Sequence, residues 1–132
     1  VSQLPRGTPV VAHTDVCFAL AAGDAATVQF FEAPPVEIRL STATYLELLN
    51  AAQDETQQAR VNRFVQPFAV LSLGPMASAR SVELMREHSL ADGLTPLAAL
   101  IAATALAHEI PLVARDVRPF RNIEGLAVCT LD

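Results

Sequence analysis

Apolar residues along this chain alternate between short β-branched runs and longer segments with helical spacing. The short runs predict five strands, over residues 8–12, 36–40, 68–73, 112–114 and 127–131. In the second run, charged Glu37 and Arg39 alternate with apolar neighbours. This alternation indicates a half-covered strand, which we expect at an edge of the sheet.

The segments between these runs predict helices, and polar residues that can accept hydrogen bonds from free N–H groups precede most of them. The expected caps are Asp15, Asp24, Ser41, Asp54 and Thr95. The helices they start should end near residues 22, 31, 52, 65 and 107, and another helix should cover residues 76–88. The segment 76–88 is amphipathic, with Val82 and Met85 on its expected apolar side. The segment 97–107 has almost no polar face, which predicts a helix covered on several sides.

Strands that alternate with helices predict the α/β fold class, here a three-layer α/β/α sandwich around a mostly parallel sheet of about five strands. Ligand sites in such sheets lie at the carboxyl ends of the strands. Those ends bring His13 and Asp15, the following helix with Glu47, and Asp116 toward one cleft. Ala98, near the start of its helix, should face the same cleft.

Composition predicts one domain over residues 1–132, because 52% of the residues are hydrophobic and 17% are charged. No apolar run reaches the roughly 18 residues of a membrane helix, and we expect no membrane partner. The first eight residues do not resemble a signal peptide. Cys17 and Cys129 are too few for a disulfide framework and should pack as small apolar residues. The expected location is therefore the cytoplasm.

The net charge of −5 argues against a broad electrostatic nucleic-acid binder. It leaves open a divalent metal that brings a phosphate to a carboxylate-lined cleft. All nine basic residues are arginines, and Arg115, Arg118 and Arg121 fall within seven positions. These three residues have two interpretations, a solvated loop or a contact for RNA phosphate or an acidic partner.

Two adjacent segments carry a family resemblance. Residues 95–108 read TPLAALIAATALAH, and residues 110–120 read IPLVARDVRPF. They resemble PIN-domain ribonucleases of the VapC toxin type, in which the usual patterns are PLDALIAATAL and LVTR[ND]VRDF. The resemblance is moderate over residues 10–20 and 41–49. It implies a PIN-like fold and a Mg²⁺- or Mn²⁺-dependent endoribonuclease whose acids gather around the metal.

The resemblance also assigns a role to each cleft position. The family's first acid position holds His13, its second holds Glu47 and its third holds Ala98. In the family's fourth region Asp116 is kept. In the same region Ala114 replaces a threonine, and Pro119 replaces a later aspartate. The vacated acid positions are thus His13, Ala98 and Pro119. Glu47 and Asp116 are the expected catalytic residues, and the expected metal ligands are Glu47, Asp116, Asp15 and His13. The imidazole would suit Zn²⁺, Ni²⁺, Mn²⁺ or Fe²⁺ better than Mg²⁺.

Each retained residue also has an ordinary structural interpretation. Glu47 could be an exposed helix residue, and Asp116 could start a turn. Asp15 could be a helix cap, and His13 could be a satisfied polar residue. His88 and His108 are expected near helix ends, where imidazolium favours the helix dipole, with no chemistry.

Two functions follow from these losses. The first is a catalytically impaired ribonuclease relative that needs no cofactor and acts through protein or RNA binding. Its partners would be a second copy in a homodimer, a small antitoxin-like protein or RNA. The alternative is an active metal-dependent endoribonuclease toxin with a rearranged site of Glu47, Asp116 and His13. Another α/β hydrolase or nucleotide binder is disfavoured, because the sequence has no Gly-x-Gly-x-x-Gly, Walker or Gly-x-Ser-x-Gly motif.

Overall fold

A parallel sheet of five strands lies at the centre of the computed structural model, which describes residues 1–131. The strands are β1 (Pro9–Ala12), β2 (Glu37–Ser41), β3 (Ala69–Leu71), β4 (Leu112–Val113) and β5 (Val128–Cys129). Their order across the sheet is β3-β2-β1-β4-β5, and every neighbouring pair is parallel. The predicted parallel sheet is confirmed.

Within residues 1–131, six helices flank the sheet: α1 (Thr14–Ala21), α2 (Ala25–Glu32), α3 (Thr42–Ala51), α4 (Glu55–Val65), α5 (Pro75–Asp92) and α6 (Pro96–His108). Side chains of Asp24, Ser41, Asp54 and Thr95 accept N–H groups at the predicted helix starts. The cap predicted at Asp15 is wrong, because α1 begins at Thr14 and Asp15 lies inside its first turn. Its carboxylate accepts N–H groups from a distant loop instead.

Apolar clusters cover both faces of the sheet. Along β1, Val11 belongs to the cluster that includes α5 and α6, whereas Val10 and Ala12 belong to the cluster that includes α1 and α2. Leu112 and Val113 of β4 divide in the same way. Successive strand residues therefore contribute to opposite cores, and the predicted α/β/α layering is confirmed.

The edge position predicted for the second strand is wrong. β2 pairs with β1 on one side and with β3 on the other. Glu37 and Arg39 project to the face opposite buried Ile38 and Leu40, and the two charged side chains pair at 3.2 Å. Their alternation thus reflects one incompletely covered face.

The apolar side predicted for the fifth helix is partly wrong. α5 continues to Asp92, and its buried residues are Ala77, Leu84 and His88. Val82 is 51% exposed, whereas Met85 is partly buried against the core cluster. His88 is therefore a buried residue that lies one turn before the end of α5.

The all-apolar segment forms α6, whose buried residues are Ala98, Ala99, Ile101, Ala102, Ala103, Thr104 and Ala105. It contacts α3, α5 and β1, which agrees with a helix covered on several sides. Cys17 is buried among apolar residues, as predicted. Within residues 1–131, no helix combines the length and apolar character needed to cross a membrane.

Candidate functional site

The candidate site lies where β1 ends between its two neighbours, β2 and β4. After β1, the chain adds β2 and β3 on one side of the sheet and then β4 and β5 on the other side. The direction in which strands are added therefore reverses at β1. Parallel sheets bind ligands in the crevice at such a reversal. His13 directly follows β1, and its backbone N–H donates to the Val113 carbonyl at 2.8 Å, which joins the ends of β1 and β4.

Two buried threonines hold the carboxylate of Glu47. The Thr14 hydroxyl donates to Glu47 Oε1 at 2.7 Å, and Thr14 Oγ1 lies 3.0 Å from Thr44 Oγ1. Because a hydroxyl has one hydrogen, Thr14 must accept from Thr44. Hydrogen bonds thus run from α3 through α1 and back to Glu47 on α3, and both threonines are buried.

The imidazole of His13 occupies the centre of the site. Its ring contacts Phe120 edge-on, with the ring centroids 5.0 Å apart. Nδ1 is buried and has no hydrogen-bond partner among the residues that the structure describes. Burial lowers the pKa of His13, while the negative charges of Asp15, Glu47 and Asp116 oppose this shift. The three carboxylates are therefore close enough for the imidazole to sense their charge.

Asp15 fixes the start of the loop that follows β4. Its carboxylate accepts the backbone N–H of Arg115 at 3.1 Å and that of Asp116 at 2.9 Å. The guanidinium of Arg115 then reaches Asp24, 3.0 Å away, at the start of α2. These contacts give Asp15 a structural partner about 100 residues away in sequence.

Asp116 is engaged by a neighbouring residue of the same loop. Arg118 donates to it from Nε at 2.8 Å, from Nη2 at 2.9 Å and from its backbone N–H at 3.1 Å. These hydrogen bonds from Arg118 lower the pKa of Asp116 to about 2. The geometry is also that of the turn considered for this residue.

A groove of about 890 Å³ opens beside these residues. Its lining comprises Asp15, Phe18, Ala19, Ala22, Gly23, Asp24, Arg115, Asp116 and Arg118. Two of the three clustered arginines face it, and both pair with acids of the same wall. The third, Arg121, helps to lower the pKa of Asp116 and of Asp92. Contact of these arginines with RNA or a partner stays a prediction.

The positions where the family would have further polar groups are apolar here. Ala98 lies in the first turn of α6, is 7% exposed and belongs to the core cluster around that helix. Ala114 is fully buried, and Pro119 is partly buried. The former acid slot at Ala98 is thus part of the core.

The side chains present do not fit a hard divalent cation. Mg²⁺ requires oxygen ligands in near-octahedral geometry. Within residues 1–131, no group of three or more His, Cys, Asp or Glu is arranged to hold a metal ion. Asp15, Asp116 and Glu47 each already accept hydrogen bonds from the protein. The metal-binding roles of these residues and of His13 stay predictions.

Sequence reasoning missed several contributors to this site. Thr44 could have been found, since it precedes Glu47 by three residues and so shares its helix face. Asp24 was recognised only as a helix cap, and its partner Arg115 lies 91 positions away, so no local pattern indicates the pair. The contact of Phe120 with His13 is equally non-local.

Known proteins share this fold. A family model described as PIN domain matches residues 11–126. A toxin-antitoxin complex from Klebsiella pneumoniae contains a chain with 27% identity and a TM-score of 0.76, covering 93% of this chain and 98% of that one.

Two more distant structures are also similar. VapBC2 from Rickettsia felis, bound to a promoter DNA fragment, has 20% identity and a TM-score of 0.76, over 94% of this chain and 99% of that one. DNA-bound VapBC from Salmonella typhimurium has 19% identity and a TM-score of 0.74, over 95% and 99%. No match was found among curated protein sequences.

Proposed function

This chain belongs to the PIN domain family. From that premise we propose that it is a toxin-type PIN protein that still binds a partner but no longer cleaves RNA efficiently. PIN nucleases generally depend on a divalent metal. The observation that carries the proposal is the condition of the acids at the cleft. His13 and Ala98 occupy two positions where the family has acids. The carboxylates of Asp15, Glu47 and Asp116 accept hydrogen bonds from other groups of this chain.

The loss of two carboxylates matters because a metal is the group that lets close carboxylates stay ionised together. In this chain Arg118 pairs with Asp116 and Thr14 donates to Glu47, so protein groups engage both carboxylates. With His13 and Ala98 at two acid positions, the cleft offers fewer oxygen ligands for a divalent metal, which would supply the nucleophilic water of such a hydrolase. We therefore expect Mg²⁺ and Mn²⁺ to add little to any activity.

A cleavage assay with its matched restored variant tests this proposal. Wild-type protein is incubated with a structured RNA mixture in Mg²⁺ or Mn²⁺, beside the double variant His13→Asp/Ala98→Asp. We expect background cleavage from the wild type and metal-dependent cleavage from the double variant. Glu47→Gln in the restored background is the control and should remove the gained activity. Robust wild-type cleavage that Glu47→Gln abolishes would contradict the proposal.

A small antitoxin-like protein is the proposed partner. Two adjoining grooves support this role, one with the paired charges described above and one of about 280 Å³ lined mainly by apolar residues. Phe18 of α1 is 44% exposed and lines both. Co-expression with the product of a small adjacent gene provides the test. Co-purification that Phe18→Asp abolishes supports the role, whereas unchanged binding by this variant contradicts it.

A homodimer is the proposed oligomeric state, supported by the apolar residues that α5 leaves uncovered. Met76 is 76% exposed, Val82 51% and Leu90 fully exposed. Sedimentation of wild type and Leu90→Glu at matched concentrations tests the dimer. A monomeric wild type would contradict it.

One observation favours a second function, an active endoribonuclease that uses His13, Glu47 and Asp116. Nδ1 of His13 is buried and has no hydrogen-bond partner within residues 1–131, and a lowered pKa favours the neutral imidazole that a metal requires. Calorimetry with Mn²⁺ and Zn²⁺ separates the two functions. Binding by the wild type that His13→Asn removes would favour this second function over the first.

A further inference from the structure

A partly buried His–Asp pair lies at the end of α5, outside the candidate site. Nδ1 of His88 and Oδ2 of Asp92 are 2.7 Å apart, and the two side chains are only 10% and 14% exposed. Hydrogen bonds from His88 and Asn122 lower the pKa of Asp92. Asp92 is therefore a carboxylate, and Nδ1 of His88 must carry the hydrogen between them.

The second oxygen of Asp92 binds a different part of the chain. Asn122 Nδ2 donates to Asp92 Oδ1 at 2.8 Å, across 30 positions of sequence. The neighbouring Arg121 adds a favourable charge. A negative residue at the C-terminal end of a helix opposes the helix dipole, so Asp92 is favourable there only with such partners.

Asn122 ends the segment that carries the exposed charges of the candidate site. We define residues 115–122 as the site loop. Asp15 holds its start through the N–H groups of Arg115 and Asp116. Phe120 holds its middle, because this side chain is 1% exposed and contacts His13. The contact with Asp92 holds its end.

We infer that Asp92 is a positioning residue that fixes the end of the site loop to α5, with His88 orienting its carboxylate. The buried imidazole restricts the carboxylate to one rotamer, and that rotamer presents Oδ1 to Asn122. The loop is then closed at both ends, by Asp15 and by Asp92, and Asp116 and Arg118 are held between them. This inference requires neither RNA cleavage nor a bound partner, and it goes beyond the function proposed above.

Amide hydrogen exchange measured by NMR on the full chain tests the inference. Asn122 is exposed, so Asn122→Ala removes the tether and leaves the His–Asp pair in place. We expect the amides of Phe120 and Ile123, which donate within the loop turn, to exchange about five-fold faster, the equivalent of one hydrogen bond. Amides of β1 and α6 should keep their wild-type rates.

Substitution of Asp92 separates positioning from simple stability. Asp92→Ala should accelerate the same two amides as Asn122→Ala, whereas Asp92→Asn keeps an acceptor for Asn122 and should restore most of the protection. Glu83→Ala, which breaks an exposed ion pair with Arg80 on the same helix, is the matched control and should change neither amide. Loop amides that stay at wild-type rates in Asn122→Ala would overturn the inference, as would equal acceleration of loop and β1 amides.

Discussion

Glu47 and Asp116 lie on two sides of the candidate site and are held by different kinds of partner. Glu47 accepts a hydrogen bond from Thr14, which is buried and is itself supported by buried Thr44. Asp116 is paired with Arg118, and the two side chains are 47% and 76% exposed. We call Glu47 with its threonine partners the buried side of the site, and Asp116 with Arg118 the exposed side.

The difference determines what each contact contributes. An exposed ion pair is screened by water and salt and contributes little to folding. A buried hydroxyl that loses its partner retains the full cost of desolvation. Changes on the buried side should therefore alter the free energy of unfolding, whereas changes on the exposed side should alter ionisation and leave folding intact.

The largest expected effect is at Ala98, a buried position in the first turn of α6. Ala98→Asp places a carboxylate where the side chain is 7% exposed and the neighbours are apolar. We expect a loss of about 3 kcal/mol in the free energy of unfolding, since an unpaired buried charge costs this much. Thermal and urea unfolding at pH 7 in EDTA, where no metal can pair with the new carboxylate, measure it. Ala107→Asp, on an exposed position of the same helix, is the control, and equal losses in both would contradict the prediction.

The next largest effect concerns the hydrogen bonds that run from Thr44 through Thr14 to Glu47. Thr14→Val keeps the shape but removes the donor to Glu47 and the acceptor for Thr44. We expect a loss of about 2 kcal/mol, because a buried hydroxyl is left unsatisfied. Urea unfolding measures it against Thr14→Ser, which keeps the hydroxyl. If serine and valine destabilise equally, packing and not hydrogen bonding explains the effect.

Between the two sides, His13 should make stability depend on pH. Burial lowers its pKa in the folded protein, so the unfolded chain takes up a proton first as the pH falls below about 6.5. The contribution of neutral His13 is thus present above that pH and lost on acidification. We expect the melting temperature to fall more between pH 7 and pH 5 in the wild type than in His13→Asn. Exposed His108→Asn should behave like the wild type.

The smallest effect on folding is expected on the exposed side. Arg118→Ala removes the main cause of the low pKa of Asp116, so that pKa should rise from about 2 toward the ordinary value of about 3.9. A depressed carboxyl pKa adds stability above the unfolded value, and that contribution disappears as the pH falls toward 2. Carboxyl NMR titration measures the shift, and Arg80→Ala is the control. An unchanged Asp116 pKa, or a clearly lower melting temperature at pH 7, would contradict the prediction.

The distance in sequence between interacting residues explains which features could be predicted from the sequence. Caps at Asp24, Ser41, Asp54 and Thr95 depend on residues two or three positions away, and local patterns predicted them correctly. Asp15 resembled these caps, but its partners are about 100 positions away, and so its role was missed.

Longer-range arrangements escaped the sequence for the same reason. The edge position expected for β2 depended on whether another strand pairs beyond it, and β3 does. His88 was expected near a helix end, but nothing local indicates that the helix continues to Asp92 or that Asn122 lies opposite. Family resemblance located the vacated acid positions, but only the fold revealed that Ala98 belongs to the core.

The central place of β1 also has a consequence for how the chain folds on the ribosome. Val11 pairs with Leu112, so about 100 residues must be synthesised between the two strands. At translation rates of about 5–20 residues per second, the nascent chain waits roughly 5–20 s before β1 can gain its second neighbour. During that interval one edge of this central strand stays open to other chains. The candidate site, which needs both strands, is therefore assembled only after β4 has been synthesised.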